Sequence, residues 1–538
     1  MLTLVLEPTD DRANPVFKNL PSCEKWLSKL QLTNLQLAHS QLLTEINELN
    51  CYAMRGADRM NILELLRDTV DYVQTEYIKK LAGKPLPLNE HELLIFISSI
   101  QLWQAMSQGY QRCLQAAISG DKQLAKHAAL LCHRALLYSG RAIVHHLKTG
   151  YEFEGKLWQQ LHSLYAYAES SEILTKKVAD PQSNSSTKDT CHHVYMRTLL
   201  TSHAHPAELS QSQFQLLEKW LPGFIALLTV DRRYVGSKGD AQPLAFNLKG
   251  SQHGLRPARV NKHCEHTRYL SMVPISKDLR VKSILLEQGK TPKQVELGDD
   301  ENGRDCLKLL KLLHQYWCEA SDMRFIPREQ NHQHAVLYHN FSDIHFQLSG
   351  SVIRKPVNRA EVRKQIETFG RELNNTQTDK SIESVSPDSW RLDNNSLQGA
   401  QLTLDGTSSI RLKRRQLVAV RPESEAEFIL GIVAWIKVIR TGQIRIGVRY
   451  LPGEIEPVNL KATGSNKSGL DESGLAFLLK PLPNTNIPAS LIIPKEWFKP
   501  ERMVEVHPQN SEKMKVTFEF SIEHGSDFER VSYIPAIN

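Results

Sequence analysis

The sequence predicts a multidomain α + β protein: an all-helical N-terminal domain, a mixed middle module and a C-terminal β-barrel. Three stretches carry that reading. Residues 91–117 hold apolar side chains at helical spacing, residues 179–190 (ADPQSNSSTKDT) form a polar linker, and residues 417–451 break into short β-branched runs separated by turn signals. The expected boundaries are 1–178 for the helical domain, 191–350 for the mixed module, and 351–538 for the barrel with its C-terminal strands.

In the helical part, Phe96, Ile97, Ile100, Trp103, Met106 and Tyr110 recur every three or four positions, which gives one long helix a buried stripe. Ser22 is placed to cap an earlier helix, while Gly140 and Gly150 punctuate later ones, so successive antiparallel pairs are expected. After the linker, Pro222-Gly223 reads as a helix stop. Residues 224–231, 244–250 and 268–276 read as strands and 304–319 as a helix, so the middle module admits a degenerate barrel.

The C-terminal strands are clearest at 417–421, 431–437 and 443–451, with Thr441-Gly442 closing a hairpin. In the last of these, Ile444, Ile446, Val448 and Tyr450 share one face, and Arg445, Gly447 and Arg449 the other. Residues 475–480, 490–494, 503–508 and 515–524 alternate well enough to complete or extend the β structure, with Trp497 and Phe498 sealing its end.

With 538 residues, 41% hydrophobic and 23% charged, the chain has a globular composition, and no apolar run approaches the ~20 residues of a membrane helix. A brief apolar start followed at once by acids disfavours a secretory signal, so a cytoplasmic location is expected. The eight cysteines form no Cys-x-x-Cys pair and read as reduced thiols. Histidines at 332, 334, 339 and 345, and the group His263, Cys264 and His266, lack the spacing of a metal site. A net charge of +7 suits an anionic ligand but is not the concentrated footprint of a nucleic-acid binder, so nucleic acid is not expected as a partner.

Ahead of the clear strands stands Asn394-Asn395-Ser396-Leu397-Gln398-Gly399, that is Asn-x-Ser-x-x-Gly. An amide and a hydroxyl offer hydrogen bonds to a base edge, and glycine lets the backbone turn closely. With the hydrophobic-Trp-hydrophobic-basic segment Val433 to Lys437 and the Gly-Val-aromatic strand Gly447 to Leu451 following in order, the sequence resembles the PilZ domain family of bacterial cyclic di-GMP receptors. The resemblance implies a PilZ-like barrel that binds cyclic di-GMP through Asn394, Ser396 and Gly399. It also implies an Arg-x-x-x-Arg signature for the phosphates, for which this chain offers Arg359 and Arg363. That pair lies in a segment of helical composition, where the two arginines would share a solvated face, so Arg354, Lys355, Arg391 and the run Lys413-Arg414-Arg415 are alternative cation sources.

No Walker loop, Gly-x-Ser-x-Gly elbow, His-Glu-x-x-His or dinucleotide fingerprint is present, so no enzyme and no cofactor are expected. The resulting expectation is a cyclic di-GMP effector that couples nucleotide binding in the barrel to protein interactions of the helical region with an unidentified partner. The alternative is a ligand-independent scaffold with a degenerate barrel.

Overall fold

The computed structural model describes residues 4, 6, 8–179, 189–234, 241–251, 265–299, 301–319, 329–349, 388–404, 410–439, 442–463, 473–480, 489–508 and 512–536, the side chains at 329–332 and 388 excepted. The chain divides into two compact units, Met1–Lys84 with Leu88–Arg324, and Pro85–Pro87 with Phe325–Asn538.

The first unit begins with α1 (Leu20–Leu27), α2 (Leu35–Cys51), α3 (Gly56–Ile78), α4 (Glu90–Ile118), α5 (Lys122–Ala125), α6 (Ala128–Thr149) and α7 (Lys156–Ser170). It continues with α8 (Cys191–His203), α9 (Gln211–Ala226), α10 (Val273–Glu287) and α11 (Gly303–Cys318). Helix α4 starts where its sequence says it should: the Asn89 side chain accepts from Glu92 N at 2.8 Å, and Glu92 accepts in return from Asn89 N at 3.0 Å. At α1 the cap is Asn19 instead of Ser22, because Ser22 is the first-turn N3 partner that closes the same reciprocal box. Gly150 ends α6 in a left-handed conformation, φ 80°. Gly140 lies inside that helix, where a Cβ would stand 2.3 Å from Thr198 Oγ1, so its role is close packing against α8. Pro222 stays within α9, whose Leu217, Trp220, Leu221, Phe224 and Ile225 are buried; packing of that face outweighs the proline's lost hydrogen bond.

Three short strands, β1 (Val230–Asp231), β2 (Leu244–Asn247) and β3 (Thr267–Leu270), pair antiparallel in the order β1-β3-β2. They make a small sheet where the sequence admitted a degenerate barrel. One apolar cluster runs from Phe17 through Trp317 and Cys318, so the helices of the expected middle module share a core with the N-terminal ones. No described helix is long and apolar enough to cross a membrane.

The second unit contains two closed six-stranded barrels. The first has β4 (Glu329–Tyr338), β5 (Asp388–Ser396), β6 (Gly399–Leu404), β7 (Leu417–Pro422), β8 (Ile429–Val438) and β9 (Ile444–Tyr450), closed in the order β4-β5-β6-β9-β8-β7. Its first strand begins well ahead of the boundary read at 351. The second has β10 (Ile455–Ala462), β11 (Ser473–Leu479), β12 (Ser490–Pro494), β13 (Met503–Pro508), β14 (Met514–His524) and β15 (Phe528–Pro535). The strands expected to extend one barrel thus close another, with Trp497 and Phe498 packed against its core. Closure removes exposed sheet edges, which short strands of this kind would otherwise present.

Helix α12 (Phe341–Ser349) belongs to this unit as well. Its Ile344 shares an apolar cluster with Leu417 and Leu430 of the first barrel and Phe477, Ile492 and Phe528 of the second. His345 is buried and bonds the Val458 carbonyl at 3.1 Å through Nε2. The all-helical region, mixed middle elements and C-terminal barrel of the expected fold class are therefore all present.

Candidate nucleotide-binding face of the first barrel

Strand pairing sets the site. Inside the first barrel, Leu392, Leu402, Ile446 and Ile436 stand opposite one another on successive strands, and all four are buried. On the outer face the register builds a grid. One row runs Arg391–Thr403–Arg445–Lys437, the next Asn394–Gln401–Gly447–Trp435, and the third Ser396–Gly399–Arg449.

Two irregularities align these rows. The register slips between Leu392 and Asn394 on β5, and between Val433 and Trp435 on β8. An extra residue in one strand re-aims its neighbours, and at Asp393 it brings two consecutive polar side chains onto the outer face. Asp393 accepts from Arg391 Nε at 3.0 Å, Gln401 Nε2 at 3.1 Å and Thr403 Oγ1 at 2.6 Å. Arg445 Nε stands 3.8 Å from the same carboxylate. Partial burial alone would raise the carboxyl pKa, but donation from Thr403, Arg391 and Gln401 outweighs it and holds the group below its ordinary value.

The sequence-predicted residues divide into two sets. Asn394, Ser396 and Gly399 lie at the β5–β6 hairpin of this face; Arg359 and Arg363 lie outside the described residues, as do Arg354 and Lys355. Asn394 Nδ2 donates to Gln401 Oε1 at 3.3 Å, while its Oδ1 is buried without a hydrogen-bond partner among the described residues. The Ser396 hydroxyl donates to the Gly399 carbonyl at 3.0 Å and so closes the hairpin. At Gly399 a Cβ would stand 2.2 Å from the Val448 carbonyl oxygen, so strand packing by itself demands glycine there. Tyr450 OH donates to Asn395 Oδ1 at 3.1 Å, and burial raises its pKa to about 12, keeping it a neutral donor. The run Lys413-Arg414-Arg415 forms the turn before β7, with Arg415 at φ 60°.

Residue-by-residue reading of the motif missed that Asp393, Gln401, Thr403, Arg445 and Trp435 share the outer face with Asn394. The alternation of Arg445, Gly447 and Arg449 was the available signal, but which strand stands beside which is decided by pairing across the barrel. Trp435 is half-buried, its indole laid over Gly447, with Lys437 Nζ 5.6 Å from the ring centroid. Chemically the face combines amides and a buried carbonyl oxygen, an aromatic plane and a row of cations. Those groups suit a base and a phosphate respectively.

The model described as "Cyclic-di-GMP receptor FimW, N-terminal domain" matches residues 21–233, and that described as "FimW C-terminal beta-barrel domain" matches residues 465–535. The chain belongs to the FimW family. These two matches cover most of the helical region before β1 and five of the six strands of the second barrel, β11 to β15, flanking the first. A relative named cyclic-di-GMP receptor FimW, from Pseudomonas aeruginosa (strain PAO1), is 20% identical over 558 residues, spanning 93% of this chain and 89% of that protein. FimW proteins are a PilZ-like receptor family, in keeping with the resemblance carried by residues 394–399 and 433–451.

Proposed function

We propose that this chain is a cyclic di-GMP receptor and that the outer face of its first barrel takes the nucleotide. The observation that carries the reading is the placement of Asn394 in the row of Trp435, one row from Arg391, Arg445 and Lys437, with Ser396 and Gly399 in the row beyond. The name of the relative supports the same ligand. On this reading Asn394 meets a guanine edge, Trp435 offers a stacking surface, and Arg359 and Arg363 contribute phosphate contacts. The function is binding rather than catalysis. Nucleotide binding shifts the population of barrel conformations and so alters an interaction of the helical region with a protein partner.

Calorimetric titration of the full chain with cyclic di-GMP, with GTP and single-stranded RNA as controls, tests the proposal. Saturable heat with cyclic di-GMP alone is expected; no heat and no thermal shift at high micromolar ligand, with folded protein, sinks it. The scaffold reading has one observation in its favour: Ser396 and Gly399 each have a local structural task that needs no ligand.

A further inference from the structure

Four strands of the first barrel bring into one line three cations that the sequence disperses, at residues 391, 437 and 445. Arg391 on β5 opposes Thr403 on β6; Thr403 opposes Arg445 on β9; Arg445 opposes Lys437 on β8. Neighbouring strands are about 5 Å apart, so the line spans roughly 15 Å, comparable with the extent of a dinucleotide. Arg391 and Arg445 keep 36% and 40% of their side chains exposed, and Lys437 is exposed.

Both arginines are gripped through Nε. Arg391 Nε donates to Asp393 at 3.0 Å; Arg445 Nε donates to Thr403 Oγ1 at 3.4 Å and stands 3.8 Å from the Asp393 carboxylate. Asp393 is only 17% exposed and receives two further bonds, from Thr403 and Gln401, so it is a fixed point. A guanidinium held at Nε has its plane set, and a preset plane lowers the entropy lost when its terminal N–H groups meet an anion. The glycine at 447 and the indole of Trp435 lie in the adjacent row, on the side of Asn394.

We propose that Arg391 and Arg445, oriented by Asp393 and assisted by Lys437, form a phosphodiester-binding row built into the barrel wall. It supplies phosphate contacts in addition to any made by Arg359 and Arg363. The inference rests on the receptor reading and deepens it. Arg391 and Arg445 touch the phosphates; Asp393 acts through them as a positioning residue. Lys437 contributes a point charge without planar geometry.

The test is titration of the full-length protein with cyclic di-GMP at several salt concentrations. Arg391→Ala and Arg445→Ala are each expected to weaken binding at least tenfold and to reduce its salt dependence. Arg445→Lys keeps the charge and is expected to recover less than half of that loss on a logarithmic scale; Lys437→Ala is expected to cost about threefold. Asp393→Asn separates orientation from charge. Removing a negative charge tightens anion binding if Asp393 acts only electrostatically, whereas the positioning role predicts weaker binding. Melting temperature checks the fold of each variant, and Arg445→Gln serves as a second probe if Arg445→Ala unfolds. A wild type that gives no heat overturns the receptor reading itself. A wild type that binds, with Arg391 and Arg445 variants within twofold of it while Arg359 and Arg363 variants abolish binding, overturns only this inference. Tighter binding by Asp393→Asn overturns the positioning role.

Discussion

The indole of Trp435 occupies the space that a side chain at residue 447 would need: a Cβ built on Gly447 would stand 2.2 Å from Trp435 Nε1 and 2.3 Å from Cε2. These residues are opposite one another on β8 and β9, so the missing side chain on one strand is what lets the ring lie against the sheet. Gly447→Ala is expected to push the ring away, destabilising the protein by about 1–3 kcal/mol as an overpacked contact. Urea denaturation measures the loss, and tryptophan emission reports the ring's new surroundings. A variant with unchanged stability and emission contradicts the account.

The hairpin that carries the PilZ-like motif makes a graded prediction. Gly399→Ala drives a Cβ into the Val448 carbonyl, a backbone atom that cannot rotate away, whereas Ser396→Ala removes one hydrogen bond to the Gly399 carbonyl. The first is expected to cost about 2–3 kcal/mol of stability and the second about 1 kcal/mol. Chemical denaturation in the absence of nucleotide separates the two. Equal and negligible costs would remove the structural explanation for both residues.

Asp527 gives a pH dependence. Its carboxylate accepts from Leu417 N at 3.0 Å, yet burial outweighs the favourable contacts and raises its pKa from 3.8 to about 6. The folded state therefore holds this proton more tightly than the unfolded chain, so the contribution favours folding at low pH and turns unfavourable as pH rises from about 4 through about 6. Asp527→Asn retains an oxygen for Leu417 N and removes the buried charge. It is expected to stabilise the protein at pH 8 by on the order of 2 kcal/mol, with the difference vanishing near pH 4. Asp393 has the opposite sign: its lowered carboxyl pKa stabilises the fold above the ordinary carboxylate range, and that contribution is lost as the pH falls through the lowered value. Melting curves from pH 2 to 8 on the wild type and both asparagine variants check the pair of signs, Asp527 above about pH 4 and Asp393 below it.

In the helical unit, Arg134 is 1% exposed and donates to Glu64 at 3.0 Å through Nε and at 3.3 Å through a terminal nitrogen. Tyr110 OH donates to the same carboxylate at 2.7 Å. Arg134→Ala leaves Glu64 without its main counter-charge and opens a cavity, with an expected loss of about 3 kcal/mol. Glu64→Gln keeps hydrogen-bonding capacity but strands the Arg134 charge, so a comparable loss is expected. A scan of melting temperatures in which either variant matches the wild type refutes the pairing as a stabilising element.

Local chemistry determined much of this protein from sequence alone. Helix α4 follows from apolar spacing and its Asn89–Glu92 box, the strand from Ile444 to Tyr450 from period-two alternation, and the PilZ-like motif from a spacing that survives any misreading of domain borders. Tertiary structure decided what depends on contacts between distant segments. Pro222 remains helical because packing of its neighbours outweighs a local signal, and β4 pairs with β5 across a gap of about fifty residues that no local pattern reveals. The later strands close on themselves because β10 pairs with both β11 and β13. The candidate site shows the same division. Asn394, Ser396 and Gly399 were legible because they sit in one short stretch, whereas Asp393 acquires its meaning only when a register slip turns it toward Thr403, Gln401, Arg391 and Arg445. Sequence records which side chains are available; cross-strand pairing determines which of them share a face, because neighbours in a barrel wall are set by hydrogen-bond register and not by chain order.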